Sequence, residues 1–176
     1  MKSPLKKVES EKALLERISL AIPGFRGYKQ KEMRREADRL IRDHIYRKLS
    51  SAKSDLREVL RQLAANRITG IMAELDRVIA KLDRVAELIH HAPHGYAGFF
   101  NAVKVDEEDL ERMMEFDLKM VDGTNEIEAM ARGLKEEAVK KNFEAIGDGI
   151  GELERKVDGL EGLFSGRTEV IMGVEL

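Results

Sequence analysis

Apolar residues recur at helical spacing along most of the chain. Beyond Tyr28 they keep one helical phase, at Met33, Ala37, Leu40, Ile41, His44, Ile45, Leu49, Ala52, Leu56, Val59 and Leu63. An apolar face of this kind is typical of an amphipathic helix that packs against a core. The pattern therefore predicts one helix over about residues 28–66.

The most regular pattern follows a turn-like segment at residues 66–70. Apolar residues alternate there in steps of four and three, at Ile71, Leu75, Val78, Leu82, Val85 and Ile89. This is the heptad spacing of a coiled-coil seam. A turn at 66–70 would set this helix antiparallel to the preceding one. Because the helical phase also continues across the turn, a single helix over residues 28–92, with its stripe buried in a dimer, is the alternative.

Two weaker patterns flank these helices. A short helix over about residues 5–19 is predicted to end before Pro23, because the residue before a proline avoids the helical conformation. Residues 106–109 are four consecutive acids, which the helix dipole favours at a helix N-terminus. Asp122 and Gly123 are expected to kink or break the acidic helix that begins there.

The last predicted helix carries apolar residues in heptad steps, at Phe143, Ile146, Ile150, Leu153, Val157, Leu160 and Phe164. Glycines interrupt it at positions 147, 149, 151, 159 and 162. A glycine inside a helix costs roughly 0.5–1 kcal/mol relative to alanine, so this helix is expected to be the least stable element unless packing holds it. No structure is assigned to the tail at residues 166–176.

The composition agrees with a helical fold in one domain. Only three prolines occur in 176 residues, and the absence of cysteine excludes a disulfide scaffold and a thiol enzyme. The predicted fold class is all-α, an elongated antiparallel bundle of four to five helices with coiled-coil-like seams. The expected single domain over residues 1–176 consists of a short N-terminal helix and loop (1–27), a long helical hairpin (28–92), an aromatic loop (93–105), acidic C-terminal helices (106–165) and a tail (166–176).

Charge is distributed unevenly, although the net charge is only −2. Residues 1–50 contain 14 Lys or Arg against 7 Asp or Glu, whereas residues 101–176 contain 10 against 20. Opposite charges favour basic N-terminal helices packed against acidic C-terminal ones, within one chain or between chains. The alternative interpretation is that the basic segment binds the phosphates of a nucleic acid or an anionic lipid surface.

No segment has the pattern of a signal peptide or a membrane span. Charged residues interrupt the N-terminal segment 1–27. The longest stretch without Asp, Glu, Lys or Arg, residues 88–103, is too short and too polar to cross a bilayer. A cytoplasmic location is therefore expected.

Five of the aromatic residues fall in two segments that periodicity does not explain, 21–30 and 93–105. They are Phe25, Tyr28, Tyr96, Phe99 and Phe100. If the helices form a hairpin, both aromatic segments emerge at the same end of the bundle. One hypothesis is that these side chains close the end of the core. The other is that they form an exposed anchor for a protein partner, flanked by the basic residues Arg26, Lys29 and Lys104.

The same segments resemble an uncharacterised prokaryotic family of helical proteins. In that family, a Pro-Gly-x-x-Gly-Tyr-Lys-x-Lys-Glu segment ending in a pair of arginines recurs, together with a later Gly-Tyr-Ala-Gly-Phe-Phe segment that leads into an acidic helix. The corresponding stretches are residues 23–35 and 95–117 of this chain. The resemblance implies a helical fold and no known activity.

A basic stripe is predicted on the second helix, at Lys31, Arg35, Arg39 and Arg42. Such a stripe could follow a phosphate backbone. Asp38 and Asp43 are spaced to form ion pairs with Arg42 and Arg39 within the helix, which would neutralise the stripe on a solvated surface.

The histidine-rich cluster of the sequence contains Glu87, His90, His91 and His94. It offers one Glu-x-x-His motif, whereas a di-iron carboxylate bundle uses two such motifs and two further glutamates. A zinc site that uses three of these residues is the functional interpretation. The structural alternative is that the helix dipole favours histidines at the end of this helix.

No catalytic signature stands out. The glycine-rich stretch at 147–151 has no preceding strand and no Gly-Lys-Ser/Thr of a phosphate-binding loop. The expected function is therefore a non-catalytic protein-protein interaction or scaffolding module, without a cofactor. We expect it to capture a protein partner through the aromatic segments and to self-associate through its seams.

Overall fold

The structure, a computed structural model, is all-α. It describes the backbone of residues 4–26, 31–92 and 107–173, and the side chains of residues 12–26, 34–92 and 108–169. The described residues form five helices and no strand, which confirms the predicted all-α bundle of four to five helices. The helices are α1 (Pro4–Ala21), α2 (Lys31–Ala65), α3 (Met72–His91), α4 (Glu107–Val139) and α5 (Phe143–Gly173).

The chain divides into two compact units, each assembled from separate segments. Unit 1 consists of Met1–His44, Ala92–Asp122 and Gly162–Leu176. Unit 2 consists of Ile45–His91 and Gly123–Glu161. Helices α2, α4 and α5 each contribute residues to both units. Within the described residues, no helix is both long enough and apolar enough to span a bilayer.

Helices α2 and α3 form an antiparallel hairpin in unit 2. The hydroxyl of Tyr46 donates a hydrogen bond to Glu87 (Oη to Oε1, 3.1 Å), and Lys53 pairs with Asp83 (2.5 Å). Residue numbers therefore rise along α2 as they fall along α3. Arg67, just after the end of α2, has a φ of 61°, the left-handed conformation found at many helix C-termini. This turn excludes the alternative of one continuous helix over residues 28–92.

Helices α4 and α5 form a second hairpin. Lys141, with a φ of 60°, ends α4 in the same way. The amide N–H of Asn142 donates to the carbonyl of Glu137 (2.9 Å) and so satisfies one of the last helical carbonyls. In unit 2, Lys156 on α5 pairs with Glu126 on α4 (2.5 Å), so the two helices are antiparallel.

Ion pairs join each helix of unit 2 to two others. Helix α2 pairs with α3 and α4, and α5 pairs with the same two helices, so α3 and α4 lie at opposite corners of a four-helix bundle. Residue numbers rise together on α2 and α4, and on α3 and α5, which makes these neighbours parallel. The pairs are Lys53 to Asp83, Lys48 to Glu128, Asp55 to Lys135, Lys81 to Glu154, Arg84 to Glu161, and Glu126 to Lys156.

The charge asymmetry of the sequence is partly used within the chain. Lys48, Lys81 and Arg84, which precede residue 101, pair with acids of the acidic C-terminal part. In unit 1, Arg17 likewise pairs with Asp122 (3.2 Å). Of these cations, Lys48 and Arg17 belong to the basic N-terminal part, so two of the pairs are of the kind that the charge pattern predicts.

The predicted apolar faces form the core. The seam residues Leu75, Val78, Leu82, Val85 and Ile89 of α3 are fully buried. So are Ile146, Ile150, Leu153 and Val157 of α5. Helices of the same chain therefore cover these side chains, and the expected self-association of two chains stays a prediction.

One prediction for the C-terminal half, a break at Asp122 and Gly123, is wrong, and the structure adds helix where the sequence pattern assigns no structure. Helix α4 continues through Asp122 and Gly123 without a break, because apolar residues on both sides, Val121 and Ile127, are fully buried and hold the helix against the core. Helix α5 continues to Gly173, so most of the tail that was left unassigned is helical. Burial therefore outweighs the local preference of glycine at Gly123.

One of the interrupting glycines has a packing role. A Cβ atom at Gly149 would lie 2.6 Å from Cδ2 of Leu134, so the glycine permits close approach of α5 to α4. At Gly151 and Gly159, by contrast, a Cβ would meet nothing within 4 Å.

Candidate functional site

The structure describes one of the five aromatic residues predicted to bind a partner. Phe25 is 5% exposed and lies in the interior of unit 1. Its amide N–H donates to the carbonyl of Ile22 (3.2 Å), and its own carbonyl accepts from Ser19 Oγ (3.3 Å). For Phe25 this is the arrangement that the core-closing hypothesis expects. Tyr28, Tyr96, Phe99 and Phe100 lie outside the described residues.

The residues next to both aromatic segments are held against α2 in unit 1. Arg42 of α2 donates from Nη1 to the carbonyl of Ala92 (2.6 Å), the last described residue before the second segment. At the first segment, Gly24 has a φ of 88°, and a Cβ there would lie 3.8 Å from Leu40 Cδ1. Helix α2 therefore positions the approach to both segments.

Two described residues, one just before the first segment and one within it, are open to solvent. Leu20, near the end of α1, is 81% exposed, which is unusual for a large apolar side chain in a helix of unit 1. Arg26 is exposed as well. An apolar and a basic side chain are therefore available on the surface near this segment.

The residues of the predicted basic stripe differ in their exposure to solvent. Arg35 and Arg39 are exposed, whereas Arg42 is buried and pairs with Asp38 (Nη2 to Oδ2, 2.5 Å). The pair between Asp38 and Arg42 forms as predicted, but in the interior rather than on a solvated surface. The side chain of Lys31 lies outside the described residues. Two of the four stripe residues thus remain on the surface of the described chain.

A buried network of charged residues in unit 1 was not foreseen. Arg167 of α5 donates from Nε to Asp117 of α4 (2.6 Å), and its Nη2 lies 2.9 Å from Oδ1 of Asp38. The network continues from Asp38 to Arg42, and burial lowers the pKa of the nearby buried residue Arg34. The feature of the sequence that could have predicted it is the spacing of Arg34, Asp38 and Arg42 at i, i+4 and i+8, which places them on one helical face beside buried apolar positions.

The Glu/His cluster, Glu87, His90 and His91, is brought together in unit 2. A ligand atom from each side chain lies within 4.8 Å of the others. Glu87 Oε2 is 3.0 Å from His91 Nε2, and the ring of Tyr46 stacks on His90 with centroids 4.2 Å apart. The fourth predicted ligand, His94, lies outside the described residues.

Tyr46 is the member of this site that sequence reasoning missed. Its hydroxyl donates to Glu87 Oε1 while its ring covers His90. It lies 41 positions from Glu87, on a different helix. The spacing of residues within α3 therefore cannot predict its contact with the cluster. Only the register of the α2–α3 hairpin brings it to the cluster.

The chain matches no protein-family model, and comparisons with curated proteins and with solved structures find no significant match. The resemblance of residues 23–35 and 95–117 to a prokaryotic helical family therefore stays a prediction. Function has to be inferred from the chemistry of the chain's own residues.

Proposed function

We propose that the protein is a non-catalytic interaction module that binds a protein partner through its two aromatic segments, residues 21–30 and 93–105. The observation that supports this most directly is the hydrogen bond from Arg42 to the carbonyl of Ala92. Helix α2 follows the first segment and Ala92 precedes the second. This bond holds the start of the second segment against α2, and Gly24 of the first segment lies near Leu40 of the same helix in unit 1.

The chemistry of this hydrogen bond indicates that the start of the second aromatic segment is held in a defined position. Removing an arginine from water costs several kcal/mol unless its charge and its N–H groups are satisfied. The two Nη groups of Arg42 donate to the Ala92 carbonyl and to Asp38, and Asp38 also pairs with Arg167. A buried ionic network of this kind specifies one geometry at the point where the second aromatic segment begins.

The residues near the segments indicate the partner's chemistry. Tyrosine and phenylalanine are typical contact residues at the centres of protein interfaces. Leu20 adds an exposed apolar side chain, and Arg26 adds a positive charge. We therefore expect an apolar segment of another protein, flanked by acidic residues. Phe25, which is buried, would anchor the first segment, and Tyr28, Tyr96, Phe99 and Phe100 would make the contacts.

The test compares partner capture by the wild-type chain with capture by the variant Tyr96→Ala, Phe99→Ala. A matched control replaces two aromatic residues outside the segments, Phe116→Ala and Phe143→Ala. The proposal expects one protein to be captured by the wild type and the control and lost with the segment variant. The purified protein should then bind the wild type directly in calorimetry, while the segment variant keeps its melting temperature.

Two outcomes would overturn the proposal. A large fall in the melting temperature of the segment variant would assign these aromatic residues to the core. Capture that disappears with nuclease, falls steeply with salt and is lost in Arg35→Ala, Arg39→Ala would instead assign the surface to phosphate binding.

A further inference from the structure

The Glu/His cluster meets the geometric requirement of a metal site. Zinc binds imidazole nitrogen at 2.0–2.1 Å and carboxylate oxygen at about 2.0–2.2 Å, so two ligand atoms of a tetrahedral ion lie roughly 3.3 Å apart. Glu87 Oε2 and His91 Nε2 are already 3.0 Å apart. The third ligand atom, on His90, lies within 4.8 Å of both. To bind one ion, the ligand atoms that are up to 4.8 Å apart would have to approach to roughly 3.3 Å.

The side chains that would have to rotate have the freedom to do so. The His91 side chain is 72% exposed, and the Glu87 side chain is 44% exposed. Their backbone positions are set by α3, where positions 87, 90 and 91 occupy one helical face at i, i+3 and i+4. The helix thus presents the three ligands together without help from a loop.

Tyr46 supplies the orienting contact that metal sites commonly use. Its hydroxyl binds Oε1 of Glu87, while Oε2 is the oxygen that faces His91. A hydrogen bond from outside the ligand set that holds a ligating carboxylate in one orientation is typical of such sites, and its loss usually lowers metal affinity by roughly 10–100-fold. Tyr46 would therefore act as a positioning residue.

We propose that Glu87, His90 and His91 bind one Zn²⁺ ion, oriented by Tyr46. Two imidazoles and one carboxylate form a ligand set that favours zinc over magnesium or calcium, which prefer oxygen ligands. Three protein ligands leave one tetrahedral position for water or a further ligand. The alternative is that the cluster is only an ion pair between Glu87 and His91 with a ring stack at the end of α3.

The test titrates Zn²⁺ into tag-free, chelator-treated full-length protein and follows the heat of binding. We expect one ion per chain and a melting temperature that rises with zinc, because an ion that binds only the folded state stabilises it. His91→Ala should abolish this binding. The exposure of His91 means that its truncation should leave the fold intact, which circular dichroism checks. His44→Ala, a histidine of α2 outside the cluster, is the matched control and should bind like the wild type.

Tyr46→Phe separates metal binding from simple packing. The variant keeps the ring on His90 but removes the hydroxyl that orients Glu87, so zinc affinity should fall roughly 10-fold or more. Visible absorption of bound Co²⁺ provides a second readout, because its intensity distinguishes a tetrahedral protein site from the octahedral aqueous ion. The proposal is overturned if the wild type binds no zinc, if His91→Ala and the wild type bind it equally, or if His44→Ala loses as much affinity as His91→Ala.

Discussion

Arg167 of α5 and Asp117 of α4 form an ion pair inside unit 1, with 2.6 Å between Arg167 Nε and Asp117 Oδ1. Both side chains are almost completely removed from solvent. Arg167 also lies 2.9 Å from Asp38 of α2, so one guanidinium connects three helices. A charge held in this way depends on all of its partners, because its solvation has been replaced by them.

Removing one partner should therefore be strongly destabilising. We expect Asp117→Ala to lower the free energy of unfolding by about 3–5 kcal/mol, since Arg167 would keep its burial and lose its closest carboxylate. Urea unfolding followed by circular dichroism measures the change. The control is Glu126→Ala, which removes the exposed partner of Lys156 and should have little effect. Equal losses in the two variants would show that burial of the pair is unimportant.

The seam of α3 should be essential for the stability of a single chain. Leu82 is fully buried, and Leu82→Ala is expected to cost about 2–5 kcal/mol through lost burial and the cavity left behind. Leu88, 43% exposed on the same helix, is the matched control, and Leu88→Ala should change stability little. If the seam is satisfied within the chain, the melting temperature of the wild type should not depend on protein concentration. A strong concentration dependence would contradict this expectation.

The glycines of α5 should respond differently to alanine. At Gly159 a methyl group meets open space, so Gly159→Ala should raise the free energy of unfolding by about 0.5–1 kcal/mol through helix propensity alone. At Gly149 the same methyl group would lie 2.6 Å from Leu134, and overpacking of this kind typically costs roughly 1–3 kcal/mol. We expect Gly149→Ala to lower stability. Thermal unfolding of both variants provides the comparison, and an equal gain in the two would mean that the Leu134 side chain moves aside for the added methyl group.

One interhelical ion pair should give stability a measurable pH dependence. Arg84 donates two hydrogen bonds to Glu161 (2.6 and 2.8 Å), which lowers the pKa of this carboxyl group below its ordinary value of 4.5. A carboxyl group with a lowered pKa in the folded state stabilises the fold above its ordinary pKa. It loses this contribution as the pH falls through the lowered value.

The stability difference between the wild type and Glu161→Gln should therefore be largest near neutral pH and should shrink as the pH falls below 4.5. Denaturant unfolding at a series of pH values measures it. Arg84→Gln removes the other partner and should produce the same pH dependence. A difference that stays constant at all pH values would show that the pair contributes through packing rather than charge.

Local patterns in the sequence were sufficient to predict most of the helices and the proximity of Glu87, His90 and His91. The burial of Leu75, Leu82 and Ile89 follows from their spacing on one face of α3. The proximity of Glu87, His90 and His91 follows from the same geometry. Such features depend on residues a few positions apart, which the helix itself brings together.

The other features of the structure depend on contacts between residues that are distant in the sequence. Arg167 and Asp117 are separated by 50 positions, and nothing in either local pattern distinguishes them from solvated charges. The continuation of α4 through Gly123, the burial of Arg42 and the contact of Tyr46 with Glu87 likewise depend on neighbouring helices. The sequence by itself determined most of the helical segments and which of their faces are apolar. Only the tertiary structure decided which charged side chains are buried, because that depends on whether another helix supplies the opposite charge.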